Sequence, residues 1–122
     1  MNKTDHLPDL PLTEATYLIL LSLAPGPKHG YGILKDVEDF SHGRIVFSTG
    51  TLYGAIKRLL EQGWITRAEA GEHEEESSRQ RKEYNLTPTG RQVLNAEISR
   101  MGEMLQAARQ YFPGASLWVS RT

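Results

Sequence analysis

The stretch from residue 48 to 63 constrains the fold of this chain most, because both ends and both faces of one helix are specified in it. Ser48 and Thr49 are residues whose side-chain oxygens cap the first turn of a helix. Gly63 ends the stretch, where a left-handed backbone is readily adopted. The apolar residues between these ends recur at helical spacing: Leu52, Ala55, Ile56, Leu59 and Leu60. The pattern predicts an amphipathic helix that packs its apolar stripe on a core.

The opposite face of this predicted helix carries hydroxyl and cationic groups. Such groups hydrogen-bond to phosphates and to base edges. An ordinary solvated face has similar residues, and the helix taken alone favours that interpretation. Tyr53 has two interpretations, a phosphate contact through its hydroxyl or packing beside Lys57. The candidate DNA-binding residues here are Ser48, Thr49, Thr51, Tyr53, Gly54, Lys57 and Arg58.

Two shorter helices are predicted before this one. The first begins at Thr13, a good N-cap residue. Its residues are apolar nearly all round, so we expect other elements to cover it on more than one side. One of these covering elements could belong to another subunit. Residues 24–27 stop it, because proline cannot extend a helix. The second helix runs over residues 29–40 with one apolar face. The link at 44–47 has a composition compatible with a small strand.

After the third helix the pattern changes to two β-compatible segments, residues 64–68 and 81–86, separated by a polar stretch. They predict a hairpin with Trp64 in the core at its base. The tip of the hairpin is acidic, and we expect it to be solvated. The returning side is basic and supplies candidate contacts to the DNA backbone, namely Arg79, Arg81 and Lys82.

A long final helix is predicted from Thr87, a capping residue followed by proline at the first helical position, to Pro113. Its apolar residues are spaced alternately by four and three, which is typical of a coiled-coil seam. We therefore predict that it pairs with a second copy of the chain. With two residues of the first helix added, the predicted dimer interface is Leu18, Leu21, Leu94, Ile98, Met101, Leu105, Ala108 and Phe112.

The predicted order is three helices, a two-stranded hairpin and a long helix. The fold class is therefore mainly α with a small β-hairpin, in the layout of a winged helix-turn-helix whose third helix enters the major groove and whose hairpin is the wing. The predicted divisions are a flexible arm at 1–11, the winged helix-turn-helix at 12–86, a dimerisation helix at 87–113 and a tail at 114–122. The basic wing strand beside a polar helix turns the balance towards DNA binding.

Several motifs resemble those of the PadR family of transcriptional regulators, over roughly residues 12–94. The motifs are HGYG at 29–32, GTLY at 50–53, KRL at 57–59 and YNLTPTG at 84–90. The resemblance implies a dimeric repressor that reads a pseudo-palindromic operator, and an aromatic effector that releases DNA in some relatives. It also favours the phosphate contact for Tyr53 over packing beside Lys57. Thr49 and Gly54 depart from the proline of many relatives, and Glu83 departs from an aromatic residue, so base preference is open there.

Two further aromatic residues have a predicted role. Tyr31 is expected to be a partly buried structural phenol, with a phosphate contact as the second interpretation. Trp118 is either an ordinary packing residue or the wall of a site for a small aromatic effector, and packing is the favoured interpretation.

Composition limits the other functions. The 122 residues carry 14 basic and 15 acidic side chains, a net charge of −1, so any nucleic-acid site must be a local patch. Cysteine is absent, which excludes disulfides and zinc sites built on thiolates. The four histidines lack ligand spacing and no nucleophile motif is present, so we predict no enzyme, metal or cofactor.

The longest apolar run, residues 17–21, is too short to span a bilayer, and the first residues lack the layout of a signal peptide. We therefore expect a cytoplasmic protein without a membrane partner. One alternative function stays open, a winged-helix module that binds another protein through its acidic wing tip while Lys57 and Arg58 are merely solvated. The near-neutral net charge favours this alternative weakly.

Overall fold

The computed structural model describes residues 10–68 and 82–114. Within these ranges no helix has both the length and the apolar character needed to cross a membrane. The elements in chain order are α1 Glu14–Ser22, β1 Lys28–His29, α2 Gly30–Phe40, α3 Thr49–Gln62, β2 Ile65–Ala68, β3 Glu83–Leu86 and α4 Pro88–Tyr111. The predicted fold class, mainly α with a small antiparallel sheet and a long last helix, is confirmed.

Capping contacts at the predicted positions define the helix ends. The Ser48 hydroxyl accepts a hydrogen bond from the Thr51 backbone N–H at 3.1 Å, at the start of α3. The Thr87 hydroxyl accepts one from the Gly90 backbone N–H at 2.9 Å, at the start of α4. Each bond satisfies an N–H group that has no acceptor within its helix. Gly63 ends α3 with a left-handed φ of 77°.

The core lies between the helices and the base of the wing. Ile19 and Leu20 of α1 and its C-cap residue Leu23 are fully buried, together with apolar side chains from α2, α3, the strands and the first turns of α4. The two helices that pack on α1 are α2 and α4 of the same chain. The expectation that α1 is covered on more than one side is therefore confirmed, and its second cover within the described chain is α4.

The sheet has the strand order β1-β3-β2, with both pairings antiparallel. The hairpin of β2 and β3 was predicted, and its register pairs Arg67 with Tyr84. The third strand was missed. It pairs Lys28 with Tyr84 across the other edge of β3, and two residues are too few to give a recognisable alternating pattern.

The predicted strand at residues 44–47 is wrong. This segment is a link outside the described sheet. Ile45 and Phe47 are half-buried against the core and Val46 is exposed, so the alternation comes from packing and not from strand pairing. The backbone N–H of Ile45 donates to the hydroxyl of the fully buried Ser41 at 3.0 Å. A side chain therefore provides the acceptor that a neighbouring strand would have supplied.

The base of the wing and the start of α4 are in close contact. The backbone N–H of Thr87 donates to the carbonyl of Trp64 at 3.0 Å, and its hydroxyl donates to the carbonyl of Gly63 at 2.6 Å. A Cβ at Gly90 would overlap the Trp64 carbonyl, so glycine permits this approach. Trp64 is buried at the base of the wing, as predicted.

One carboxylate, Glu97 on α4, is buried with only 2 % of its surface exposed. It accepts hydrogen bonds from the Arg100 guanidinium at 2.7 and 3.0 Å and from the Leu12 backbone N–H at 3.1 Å. The Arg100 bonds hold the pKa of Glu97 below its ordinary value against the opposing effect of burial, and the Leu12 bond acts in the same direction as Arg100. A buried charge is thus paired and hydrogen-bonded, as its desolvation requires.

Candidate nucleic-acid interface

The polar face of α3 is exposed, and its two cations are held only weakly. The Lys57 ammonium lies 3.9 Å from a carboxylate oxygen of Glu61, and both side chains are largely exposed. The Arg58 guanidinium donates to the carbonyl of Gly54 at 3.5 Å, a long contact. Exposed pairs of this kind contribute little to stability. Both cations are therefore free to turn to an anionic partner.

The first turn of α3 presents hydroxyls and backbone N–H groups at the surface. Ser48 and Thr51 hydrogen-bond to each other through their hydroxyls at 3.0 Å. Thr49 and Gly50 are exposed beside them. A helix N-terminus carries a partial positive charge, so this end of α3 favours contact with an anion.

Tyr53 is half-buried and packs against the start of α2. A Cβ at Gly30 would overlap its hydroxyl end, so the ring lies directly over that glycine. This contact gives a physical reason for finding glycine in the HGYG segment together with tyrosine in the GTLY segment. This packing differs from the alternative interpretation, in which Tyr53 packs beside Lys57, and the phosphate contact of the hydroxyl stays a prediction.

The expectation that Tyr31 is partly buried is wrong, because 70 % of its surface is exposed. Gly30 occupies the buried position at the start of α2. The next residue along a helix is rotated by about 100°, which turns Tyr31 away from the core. Its aromatic surface is therefore open to solvent beside Lys35 and Gly32, where it lines a shallow cleft.

The wing has an inner face that changes character along its length. On β2, Ile65 is buried, and Arg67 lies on the same face two residues further along. On β3, Leu86 and Tyr84 are buried, and Lys82 lies two residues before Tyr84. The same face is thus apolar at the base of the wing and cationic towards its tip.

A cleft of about 900 Å³ separates α3 from this inner face. Its walls include three cations, one carboxylate and two phenols, contributed by Lys57, Arg67, Lys82, Glu61, Tyr53 and Tyr84. Arg67 was not identified from the sequence, although its position two residues after the apolar Ile65 places both side chains on the same face of the strand. Of the predicted wing contacts, Lys82 lines the cleft, whereas Arg79 and Arg81 lie outside the described residues.

Tyr84 is a neutral phenol inside this cleft. Burial raises its pKa above the ordinary value, the neighbouring Tyr53 raises it further, and Arg67 opposes both effects. The hydroxyl therefore stays protonated at neutral pH and keeps its capacity to donate a hydrogen bond.

The residues of the predicted dimer interface are divided between two environments. Leu18 and Leu94 are buried within the single chain, which leaves them little surface for a partner, and Leu21 and Met101 are half-buried. Ile98, Leu105 and Phe112 are exposed, the last two by 45 % and 65 %, and Ala108 is exposed between them. Trp118, the candidate effector residue, lies outside the described residues.

Known proteins resemble this chain in sequence and in fold. The sequence profile of the transcriptional regulator PadR-like family matches residues 19–96. A relative, an uncharacterised 37.1 kDa protein in transposon TN4556 of Streptomyces fradiae, is 37 % identical over 91 residues. That match covers 75 % of this chain, which spans only 24 % of the length of the relative.

Two solved structures add the fold. A PadR family transcription regulator from Clostridium difficile R20291 is 25 % identical with a TM-score of 0.63, over 80 % of this chain and 96 % of that one. Bacillus subtilis PadR in complex with operator DNA is 25 % identical with a TM-score of 0.57, over 68 % of this chain and 45 % of that one. The profile covers more than half of the chain and agrees with the observed winged helix. The chain therefore belongs to the PadR-like family of transcriptional regulators.

Proposed function

We propose that this protein is a homodimeric repressor that binds a pseudo-palindromic operator with α3 in the major groove and the wing against the DNA backbone. The observation that carries the proposal is the exposed polar face of α3, whose apolar face is buried in the core. Bacillus subtilis PadR, which has a similar fold, was solved in complex with operator DNA, and this supports DNA binding by the present chain.

We propose different kinds of contact for the start and polar face of α3 and for the wing. The residues of α3 contact bases and nearby phosphates, namely Ser48, Thr49, Thr51, Tyr53, Gly54, Lys57 and Arg58. The wing residues Arg79, Arg81 and Lys82 contact phosphates, which adds affinity but little sequence preference. Arg58 is the best candidate for a base contact, since a guanidinium pairs with the acceptors of guanine, whereas Lys57 lines the cleft beside the wing and is assigned to a nearby phosphate.

The proposed dimer is built on the last part of α4. Every residue from 102 to 114 is exposed, so this half of a 24-residue helix has no cover within the described chain. A helical segment of that length has marginal stability unless it packs on something. Pairing of two copies through Ile98, Met101, Leu105, Ala108 and Phe112 would cover it and would present two copies of α3 to half-sites about 34 Å apart.

Repression follows physically if the bound dimer occupies promoter DNA. Release by a small aromatic effector, with Trp118 as its candidate contact, would require the effector to bind better to a dimer whose α3 spacing does not fit the operator. We propose no catalytic role, because the family consists of transcriptional regulators. The proposed partner is genomic DNA, so we also keep the cytoplasm as the expected location.

The test is a comparison of single variants on two DNA duplexes, one from upstream of the protein's own gene and one of random sequence. The wild type should prefer the upstream duplex at 200 mM salt. Lys57→Ala and Arg58→Ala should each lose about tenfold in affinity for the upstream duplex. Most of the loss should be absent on random DNA for Arg58→Ala, which removes a base contact, and present on both duplexes for Lys57→Ala, which removes a phosphate contact.

Arg91→Ala is the control, because it removes the same charge from an exposed position on α4. It should leave the preference for the upstream duplex unchanged. Equal affinity of the wild type for both duplexes would refute a sequence-specific regulator of its own promoter. A protein partner that is retained by the Lys57 and Arg58 variants would favour the alternative, a protein-interaction module.

A further inference from the structure

The inner face of the wing is apolar next to the core and carries cations further towards the tip. Ile65 and Leu86 of this face close the core. Arg67 lies beyond Ile65 on β2 and is paired in register with Tyr84 on β3. The cationic part of the face begins where contact with the core ends, so the charge of Arg67 is available to a molecule outside the protein.

The facing wall of the cleft is α3. Lys57 contributes a cation from this side, and the Tyr53 ring lines the cleft next to it. Glu61 is the carboxylate on the same wall and lies 3.9 Å from the Lys57 ammonium. Three cations against one carboxylate give the described walls of the cleft an excess of two positive charges.

We propose that this cleft binds a phosphate of the DNA backbone, with Arg67 as its main anchor. The inference rests on the proposed function and assigns Arg67, a residue outside the predicted contacts, to the same interface. The chemistry fits because a guanidinium presents a planar fork of donors that matches a phosphate, and because the Tyr84 hydroxyl beside it is a neutral donor.

Binding one phosphate between two elements would set the angle at which α3 meets the DNA. The anchoring groups belong to β2 and α3, which are joined only by the turn at residues 63–64. A strand of the backbone held between them would therefore orient α3 in the neighbouring groove. Arg67 is in this sense a positioning residue, which acts on every sequence alike because phosphates carry no sequence information.

Glu61 should act against this contact. Its carboxylate attracts Lys57 in the free protein and would repel an incoming phosphate. Replacement of Glu61 by Gln keeps the size of the side chain and removes the charge. The Glu61→Gln variant should therefore bind both specific and random DNA more tightly, by about threefold, which is the size of a weak charge interaction at an exposed site.

The experiment measures the affinity of the full chain for the upstream and random duplexes at 50, 100 and 200 mM salt. Arg67→Ala should lower the affinity for both duplexes by about tenfold at the lowest salt. It should reduce the slope of log affinity against log salt by about 0.9 for each filled cleft. The ratio of the wild-type affinity to the Arg67→Ala affinity should therefore fall by about threefold per cleft between 50 and 200 mM salt.

Two further variants test whether the effect of Arg67→Ala comes from the charge of Arg67, from the shape of its guanidinium or from the loss of any positive charge on the protein. Arg67→Lys keeps the cation, so it should restore the salt slope while recovering only part of the affinity. Arg91→Ala removes a cation from a different cleft and should leave the slope unchanged. Circular dichroism checks that each variant is folded, which the exposed position of Arg67 predicts.

An unchanged salt slope in folded Arg67→Ala would overturn the phosphate site even if the wild type prefers the upstream duplex. A wild type without preference, but with an Arg67-dependent slope, would keep the phosphate site and reject the sequence-specific function. A loss confined to the upstream duplex would also contradict the inference, because it would indicate a base contact rather than a phosphate contact.

Discussion

Gly54 and Gly90 both lie inside helices, yet their surroundings give them opposite energetic roles. A Cβ at Gly54 would have no neighbour within 4 Å, so that glycine only weakens α3. A Cβ at Gly90 would overlap the backbone carbonyl of Trp64, which cannot move without displacing the base of the wing. The first glycine is replaceable for folding, and the second maintains the contact between α4 and the wing.

Gly54→Ala should therefore raise the free energy of unfolding by about 1 kcal/mol, and Gly90→Ala should lower it by about 2 kcal/mol after the gain in helix propensity is included. Urea denaturation of the two variants and the wild type measures both changes. If Gly90→Ala were as stable as the wild type, the close approach of α4 to the Trp64 carbonyl would be incorrect.

Among the elements, α4 has two parts, and Glu97 lies where they meet. Before it, Val93 and Leu94 are buried in the core, whereas every residue of the helix after Met101 is exposed in the part of the chain that the structure describes. The Glu97 carboxylate connects the Leu12 backbone to Arg100 at this point. Its contacts therefore stabilise the direction in which α4 leaves the core.

The contribution of Glu97 should depend on pH in a defined direction. Its pKa in the folded state lies below the ordinary value of 4.5, so its stabilising effect is complete above pH 4.5 and is lost as the pH falls through the lowered value. Glu97→Gln should cost about 1–2 kcal/mol of unfolding free energy at pH 7. That difference from the wild type should shrink in denaturation experiments below pH 4.

Glu103→Gln is the matched control, since Glu103 is exposed on the same helix. It should change the unfolding free energy by less than about 0.5 kcal/mol at either pH. A constant difference between Glu97→Gln and the wild type from pH 7 to pH 3 would mean that the ionised carboxylate does not stabilise the fold.

The whole molecule, as proposed, is complete only as a pair of chains. The winged helix closes its own core, but Leu105 in the last part of α4 and the C-cap residue Phe112 are exposed to solvent in the single chain. Apolar residues at a spacing of four and three are typical of a helix that pairs with another helix. Assembly and operator binding should therefore depend on the same surface.

Leu105→Glu should convert the dimer into a monomer, because it introduces like charges at the centre of the proposed seam. Sedimentation analysis measures the change in mass, and affinity for a duplex with two half-sites should fall by at least about tenfold as the second contact is lost. Gln106→Glu adds the same charge at the next exposed position, off the seam. The Gln106→Glu variant should remain dimeric. A wild-type protein that sediments as a monomer would contradict the proposed assembly.

Most of the secondary structure was predictable because its signals are local. Ser48, Thr87 and Gly63 specify helix ends through their own backbone and side-chain chemistry, and the apolar stripe of α3 identifies its buried face. The prediction of a strand at 44–47 was wrong because a link that packs every second residue on the core has the same alternation as a strand. Arg67 was overlooked because its role depends on the strand register and on the helix opposite.

The sequence by itself determined the order of the elements, their caps and the separation of α3 into an apolar and a polar face. Each of these follows from residues within one or two helical turns of one another. Only the tertiary structure decided that β1 extends the sheet, that Tyr53 lies over Gly30 and that Arg67 faces Lys57 across a cleft. These features join residues distant in the chain, and packing rather than local preference brings them together.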